Sequence, residues 1–254
     1  MKFSAACCGE IHSVVRKRIV PVQLNMREEE SPFMDVVDAL NSRFTVRAFK
    51  SDPVDRQTLE RVMEAALRAP SWANTQPWEI YVAGGEVLNR LREAYVANLK
   101  NCVARNPDLA APKQWPPALL MRMEALRSER MATLERVCLD KSVLKDLPEM
   151  NYHFFHAPVV AYICMDSSLT PWSIFDLGLF SQSLMLAARH FGLDSAPAVT
   201  LVAHPDLIRK ELNIPDKLSI IIGIALGYAD AEHPQNKFRT NRRTVKEAVA
   251  FKGV

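Results

Sequence analysis

Cationic and hydroxyl side chains alternate with apolar ones along residues 43–49. Arg43, Thr45 and Arg47 share one face of an extended segment, because successive side chains of a strand point to opposite faces. A guanidinium presents a rigid fork of donors that matches the oxygens of a phosphate. The pattern therefore fits an anion receptor, although a solvated edge strand with alternating charge would give the same sequence.

A second group of polar side chains, Ser71, Asn74 and Gln76, lies in residues 71–76. The two amides offer paired donors and acceptors, which suit the edge of a planar polar heterocycle. Pro70 is expected to end the preceding helix, because its ring cannot continue the hydrogen-bond ladder. A ligand-binding loop and an ordinary helix-to-strand turn both fit this stretch taken alone.

Hydrophobic periodicity predicts the elements that must position these residues. A first helix begins near Ser31 and stops at residues 41–42, and a second is capped by Asp55 and runs into Pro70. Farther along the chain we predict strands at 78–82, 157–165 and 218–226, helices at 86–99, 118–137, 172–190 and 206–212, a loop at 195–200 and a final short helix.

The helix predicted at 172–190 is apolar nearly all round and is followed by Gly192, a suitable C-terminal cap. A helix with so little polar surface belongs either at the centre of a domain or in a subunit interface. The strand predicted at 157–165 is a continuous apolar run, which indicates burial on both faces.

Composition limits the remaining possibilities. The net charge of +3 resides in residues 1–25, which carry four cations and one carboxylate, so the rest of the chain is neutral and offers no basic surface for nucleic acid. The five cysteines lack disulfide or metal-ligand spacing. Without a membrane-spanning run or a secretory signal, a cytoplasmic protein with no metal is expected. We predict a flexible arm at 1–33 and one domain at 34–254, with a helical excursion at about 100–150.

Four separated motifs, in this order, resemble the flavin-dependent nitroreductase family, and the resemblance covers roughly residues 34–251. The motifs are Arg43-x-Thr45-x-Arg47, Ala69-Pro70-Ser71-x-x-Asn74-x-Gln76-Pro77-Trp78, Gly192-Leu193-x-x-x-Pro197, and Gly227-Tyr228 followed by Asn236-Lys237-x-Arg239. The resemblance implies an α+β fold with an antiparallel sheet wrapped by helices, in an intertwined homodimer whose core includes the helix at 172–190.

The resemblance also implies a site for FMN. Arg43 and Thr45 would hold its phosphate together with Lys237 and Arg239, and Arg47 would face the pyrimidine edge of the flavin. The remaining implied contacts are Asn74 at the same edge, Pro70, Ser71 and Trp72 from the partner subunit, and Pro197 and the backbone N–H of Val199 near flavin N5. Many members carry a glycine two or three residues after the position of Pro197, whereas residues 198–200 of this chain include none. The contact with flavin N5 is therefore the part of the implied site that departs most from the family pattern.

Members of this family transfer two electrons from NADH or NADPH through FMN to nitroaromatic or quinone-type acceptors, in two separate half-reactions. No side chain is expected to act as acid, base or nucleophile, because the flavin carries the chemistry. The excursion at 100–150 is expected to shape the acceptor pocket. A relative with another reaction, such as reductive dehalogenation or flavin cleavage, and a non-catalytic flavin-binding protein remain alternatives.

Overall fold

The computed structural model describes residues 34–138, 147 and 149–254. The predicted arm at 1–33 and part of the predicted excursion lie outside the described residues. The helices are α1 (Val36–Ser42), α2 (Arg56–Ala66), α3 (Gly85–Lys100), α4 (Pro117–Val137), α5 (Pro171–His190), α6 (Pro205–Leu212) and α7 (Val245–Ala248), and the strands are β1 (Glu79–Gly84), β2 (Val159–Asp166), β3 (Asp194–Ala198) and β4 (Leu218–Gly227).

The four strands form one antiparallel sheet in the order β1-β2-β4-β3. The apolar strand β2 is central, and its side chains contact a different hydrophobic cluster on each face. Val160 and Tyr162 pack with Leu91 and Tyr95 of α3, whereas alternate β2 residues such as Ile163 pack with α2 and α5. Burial on both faces is therefore confirmed, and the sheet lies between layers of helices.

Local signals in the sequence set several helix ends. The Asp55 side chain accepts a hydrogen bond from the Thr58 backbone N–H at 2.8 Å, as its predicted capping role requires. At the end of α5, Gly192 has a φ of +79°, and the Leu193 N–H donates to the Ala188 carbonyl at 2.8 Å. This left-handed glycine closes the helix as predicted.

Three sequence-based assignments were wrong. Helix α1 begins at Val36 and not near Ser31, because the Asp35 side chain caps it by accepting the Val37 N–H at 2.7 Å. Helix α2 ends at Ala66, before Pro70, because the N–H groups of Arg68 and Ala69 already donate to the carbonyls three residues earlier in a tightened turn. Residues 194–198 form strand β3 and not a loop. Ala196 is fully buried against β4, so tertiary pairing overrides the weak strand propensity of a segment rich in alanine and proline.

A close approach between strand β4 and the turn that follows β3 depends on a glycine. A Cβ placed on Gly223 would lie 2.5 Å from the Leu201 Cβ. Only the absence of a side chain at this position allows the 3₁₀ turn Val199–Val202 to sit directly on the sheet. Within the part of the chain that is described, no helix is long and apolar enough to cross a membrane.

Candidate active site

The segment that carries Arg43, Thr45 and Arg47 runs beside the free edge of β3. Thr45 bridges Ser195 in parallel, and the Val46 N–H donates to the Ser195 carbonyl at 3.1 Å. Val46 is fully buried, whereas the three polar side chains are half-buried on the opposite side. The predicted alternation is confirmed, although isolated bridges hold the segment in place of a regular strand.

Asn236 joins this segment to the C-terminal part of the chain. Its side-chain oxygen accepts the Arg47 backbone N–H at 2.8 Å, and its amide nitrogen donates to the Ala48 and Asp230 carbonyls at 2.7 and 2.8 Å. The side chain is only 2% exposed; its bond to the Ala48 carbonyl is buried, and the other two are partly buried. Sequence reasoning placed Asn236 in a motif but missed this role, which fixes the position of the Arg47 backbone.

Two cations of the C-terminal tail (residues 236–254) are predicted to bind phosphate. They are Lys237 and Arg239, one and three residues after Asn236. The Arg239 guanidinium carbon lies 3.5 Å from the centroid of the Phe44 ring, which is a cation–π contact with the segment at 43–49. Lys237 is exposed, and its Nζ forms an ion pair with Glu232 at 3.1 Å. Arg239 is therefore held over the segment, while Lys237 is paired at the surface.

Burial and mutual repulsion disfavour the charged form of the guanidiniums in this region. Burial lowers the pKa of Arg47 to about 10, with a smaller contribution from the nearby Arg130. The pKa of Arg43 is lowered by burial and by Arg242. The Nε of Arg43 and the Oγ of Ser195 are both buried and have no hydrogen-bond partner among the described residues. The segment therefore concentrates positive charge and donors that an anion would neutralise.

The other β3-side positions lie where the strand gives way to the Val199–Val202 turn. Pro197 is half-buried in β3, opposite Ile224 of β4. Val199 is 72% exposed at the start of the turn. The structure thus offers an apolar surface at the end of the same strand that Thr45 contacts.

The loop that carries Ser71 and Asn74 has an unusual backbone. Ala73, Asn74 and Gln76 have φ values of 50°, 58° and 47°, a left-handed region that residues other than glycine seldom adopt. The Ser71 hydroxyl accepts the Gln76 backbone N–H at 2.9 Å, so it stabilises the turn from within. The Asn74 side chain is exposed, as is that of Trp72. Clustered strain of this kind is typical of functional loops.

A cavity of about 480 Å³ adjoins this loop. Asp176 of α5, only 4% exposed, accepts the Trp72 backbone N–H at 3.2 Å, and Trp172 meets Trp72 edge-on at 5.9 Å between ring centroids. The remaining lining residues are Pro70, Ser71, Phe175 and Leu179. Sequence reasoning missed Asp176, although a single carboxylate in an otherwise apolar helical run was the available signal.

A separate cavity of about 300 Å³ contains Arg47. One side of it is formed by α4, including Arg127 and Arg130, and Phe238 from the tail also contributes. This cavity shares no lining residue with the one beside Trp72. Within one chain, the structure thus groups Arg43, Thr45 and Arg47 with the tail, and it places Pro70, Ser71 and Trp72 at another cavity.

The fold and this cationic site together define an α+β protein with a cluster of guanidinium groups at the edge of an antiparallel sheet. The family model described as "Nitroreductase family" matches residues 40–228 of this chain. The chain belongs to this family.

Relatives across nearly the full chain agree with that assignment. The chain is 35% identical over 217 residues to 4-nitrobenzoate reductase of Pseudomonas putida, covering 84% of this chain and 93% of the relative. It is 32% identical over 225 residues to nitrobenzene nitroreductase of Ectopseudomonas oleovorans, covering 87% and 97%. Among solved structures, the FMN and NADPH-dependent nitroreductase NfnB from Sphigopyxis sp. strain HMH matches with a TM-score of 0.79 and 30% identity, covering 87% of this chain and all of that one.

Proposed function

We propose that this protein is an FMN-dependent oxidoreductase that uses NAD(P)H to reduce nitroaromatic compounds, with quinone-type acceptors as a second substrate group. Its relatives are named for nitrobenzene and 4-nitrobenzoate, and a similar structure is named for FMN and NADPH. The balanced reaction is ArNO₂ + NAD(P)H + H⁺ → ArNO + NAD(P)⁺ + H₂O. The observation that carries the proposal is the half-buried cationic segment at 43–47, whose guanidiniums have no carboxylate partner among the described residues.

That segment fits the phosphate of FMN. The buried Nε of Arg43 lacks a hydrogen-bond partner in the part of the chain that the structure describes, and a phosphate oxygen would satisfy it. Arg43 and Thr45 would bind the phosphate, with Arg239 above Phe44 and Lys237 next to it in the tail. Lys237 would have to exchange Glu232 for the phosphate, which its exposed position allows. Charge-assisted bonds of this type are shorter and stronger than neutral ones.

We assign the electrostatic role in the reaction to Arg47. When bound, FMN supplies a two-electron carrier that accepts hydride from NAD(P)H and passes electrons to the acceptor. Arg47 would face the pyrimidine edge, where negative charge develops, and its half-buried guanidinium would stabilise that charge. Pro197 and Val199 would support one face of the ring system. No side chain of the chain needs to act as an acid or base in this scheme.

A homodimer would complete the site. Large apolar side chains of α1 and α5 are exposed in the single chain, including Val36 at 63%, Trp172 at 67% and Phe175 at 63%. Contiguous exposed apolar surface usually marks an interface. The strained loop with Pro70, Ser71, Trp72 and Asn74 lies beside the exposed residues of α5, so it would reach the flavin of the partner subunit.

We expect the protein to have twice the 28.7 kDa mass of one chain in solution. The physical reason is that burying the exposed faces of α1 and α5 removes a large apolar area from water, as in obligate dimers. Light scattering coupled to size exclusion measures this mass. A flavin-loaded monomer would contradict the shared site.

The function itself is tested by steady-state kinetics with nitrobenzene as acceptor. If one flavin face serves donor and acceptor in turn, because the other rests on residues 197–200, NAD(P)⁺ must leave before the acceptor binds. Double-reciprocal plots at several fixed acceptor concentrations should then be parallel, the pattern of a ping-pong mechanism. Intersecting lines would indicate a ternary complex and refute the shared face.

The same assay separates the alternatives. Steady NAD(P)H oxidation that depends on the nitroaromatic, in a protein from which FMN can be extracted, excludes a non-catalytic flavin-binding protein. A flavin-containing protein that shows no acceptor-dependent oxidation would overturn the proposed activity while leaving the cofactor assignment in place.

A further inference from the structure

Helix α4 places two cations at the cavity that contains Arg47. Arg127 and Arg130 lie one turn apart on the helix and line this space together with Arg47. The rest of the wall is apolar and consists of Met123, Leu126, Met131, Leu147 and Phe238. The cavity thus combines an apolar wall with a cluster of guanidiniums.

Arg130 is held in place from the tail side. Its Nη2 donates to the Gln235 side-chain oxygen at 2.6 Å, and Gln235 is only 2% exposed. Gln235 precedes Asn236, which binds the Arg47 backbone, so the same short turn positions both guanidiniums. Sequence spacing gave no indication of this arrangement.

The guanidinium of Arg130 retains unused binding capacity. Its Nε is buried and lacks a hydrogen-bond partner within the described ranges. Burial lowers the pKa of Arg130, and Arg130 in turn contributes to the lowered pKa of Arg47. Over the residues that the structure describes, no carboxylate forms an ion pair with Arg47, Arg127 or Arg130. A cluster of donors of one sign, in which Arg47 and Arg130 are half-buried and Arg127 is exposed, favours an anionic ligand.

The size and lining of the cavity define the ligand further. A space of about 300 Å³ is at the small end of ligand pockets, and an apolar cavity of about 150 Å³ is enough to hold benzene. With Arg47 left to the edge of the flavin, one benzene ring with two substituents is small enough for the α4 side of this space, with its ring against Met123, Leu126 and Phe238. Its acidic substituent would lie at the guanidiniums of α4.

We propose that Arg130, assisted by Arg127, binds the carboxylate of an aryl-carboxylate acceptor and so makes this enzyme selective for anionic over neutral nitroaromatics. This inference rests on the proposed function and adds a specificity-determining residue to it. With Arg47 assigned to the flavin, the carboxylate end of the acceptor would lie toward α4.

The experiment compares 4-nitrobenzoate with nitrobenzene in the flavin-loaded enzyme. In R130Q, the ratio of kcat/KM for 4-nitrobenzoate to that for nitrobenzene should fall by about 10- to 100-fold, the value of one charge-assisted hydrogen bond. The loss should appear mainly in KM, because the carboxylate contact is made equally in the ground and transition states. R130K, which keeps a charge without the planar fork, should show a smaller loss.

R136Q is the matched control. Arg136 is exposed in the last turn of the same helix and does not line the cavity, so its loss changes the net charge equally. Its substrate ratio should remain that of the unchanged protein. If the substrate ratio falls equally in R136Q and R130Q, the effect comes from the net charge of the protein and not from a contact with Arg130, and the proposal is overturned.

Two further measurements test whether Arg130 binds a different anion, either a phosphate of the donor or that of FMN. Stopped-flow reduction with NADPH and NADH tests whether Arg130 binds a phosphate of the donor, and titration with FMN tests whether it binds the cofactor. A ratio unchanged in R130Q, or an effect confined to NADPH or FMN, would overturn the acceptor assignment. Calorimetric binding of benzoate that R130Q weakens supports it. If R130Q weakens benzoate binding but the unchanged protein reduces neither nitro compound, the carboxylate site stands and the proposed reductase activity fails.

Discussion

Replacing Arg47 with alanine is expected to slow the reduction of the bound flavin by NAD(P)H by about 10²- to 10³-fold, the usual cost of removing one preorganised electrostatic contact. The guanidinium is half-buried, and the pKa of Arg47 is lowered to about 10, so it remains charged at neutral pH in surroundings that screen it weakly. Anaerobic stopped-flow bleaching of the flavin absorbance measures this step directly.

The R47A substitution keeps the contact of Asn236 with the Arg47 backbone and removes one hydrogen bond within the segment, from Arg47 Nη1 to the Thr45 carbonyl at 3.2 Å. Flavin content should be determined for each preparation, so that the rate refers to loaded protein. R136A, which removes an exposed cation from α4, is the control and should reduce its flavin at the normal rate. A normal rate in fully loaded R47A would show that Arg47 does not face the developing charge.

The double variant K237A/R239A is expected to weaken FMN binding by about 10²- to 10³-fold, because two charge-assisted contacts to one phosphate are lost. Arg239 lies over Phe44 within the segment at 43–49, and Lys237 stands two residues before it. The protein should therefore be purified with little flavin. Fluorescence titration of the apoprotein with FMN gives the dissociation constant.

The tail offers a control with the same loss of charge. Arg243 and Lys246 are exposed and belong to the region around α7, beyond the contact with Phe44. R243A/K246A should retain its flavin. If K237A/R239A also keeps full occupancy, the phosphate does not bind at the tail, and Arg43 and Thr45 would have to hold it alone.

The sequence by itself determined the features that depend on neighbouring residues. Alternation along 43–49 put Val46 inside and Arg43, Thr45 and Arg47 on the other face, because side-chain direction follows directly from an extended backbone. The start of α2 and the end of α5 followed from Asp55 and Gly192, whose capping geometry needs only the adjacent turn. The apolar run of β2 likewise predicted burial on both faces.

Tertiary structure decided what depends on residues far apart in the chain. Strand β3 exists because Ala196 and its neighbours pair with β4, although their own propensity favours a loop. Asn236 reaches Arg47 across 189 residues, and Arg130 is fixed by Gln235 across 105. Such contacts leave no periodic trace, because packing of the whole chain, and not local spacing, brings these side chains together. The polar face of residues 43–47 could be predicted from its pattern, whereas the cations of α4 beside it became visible only in the folded protein.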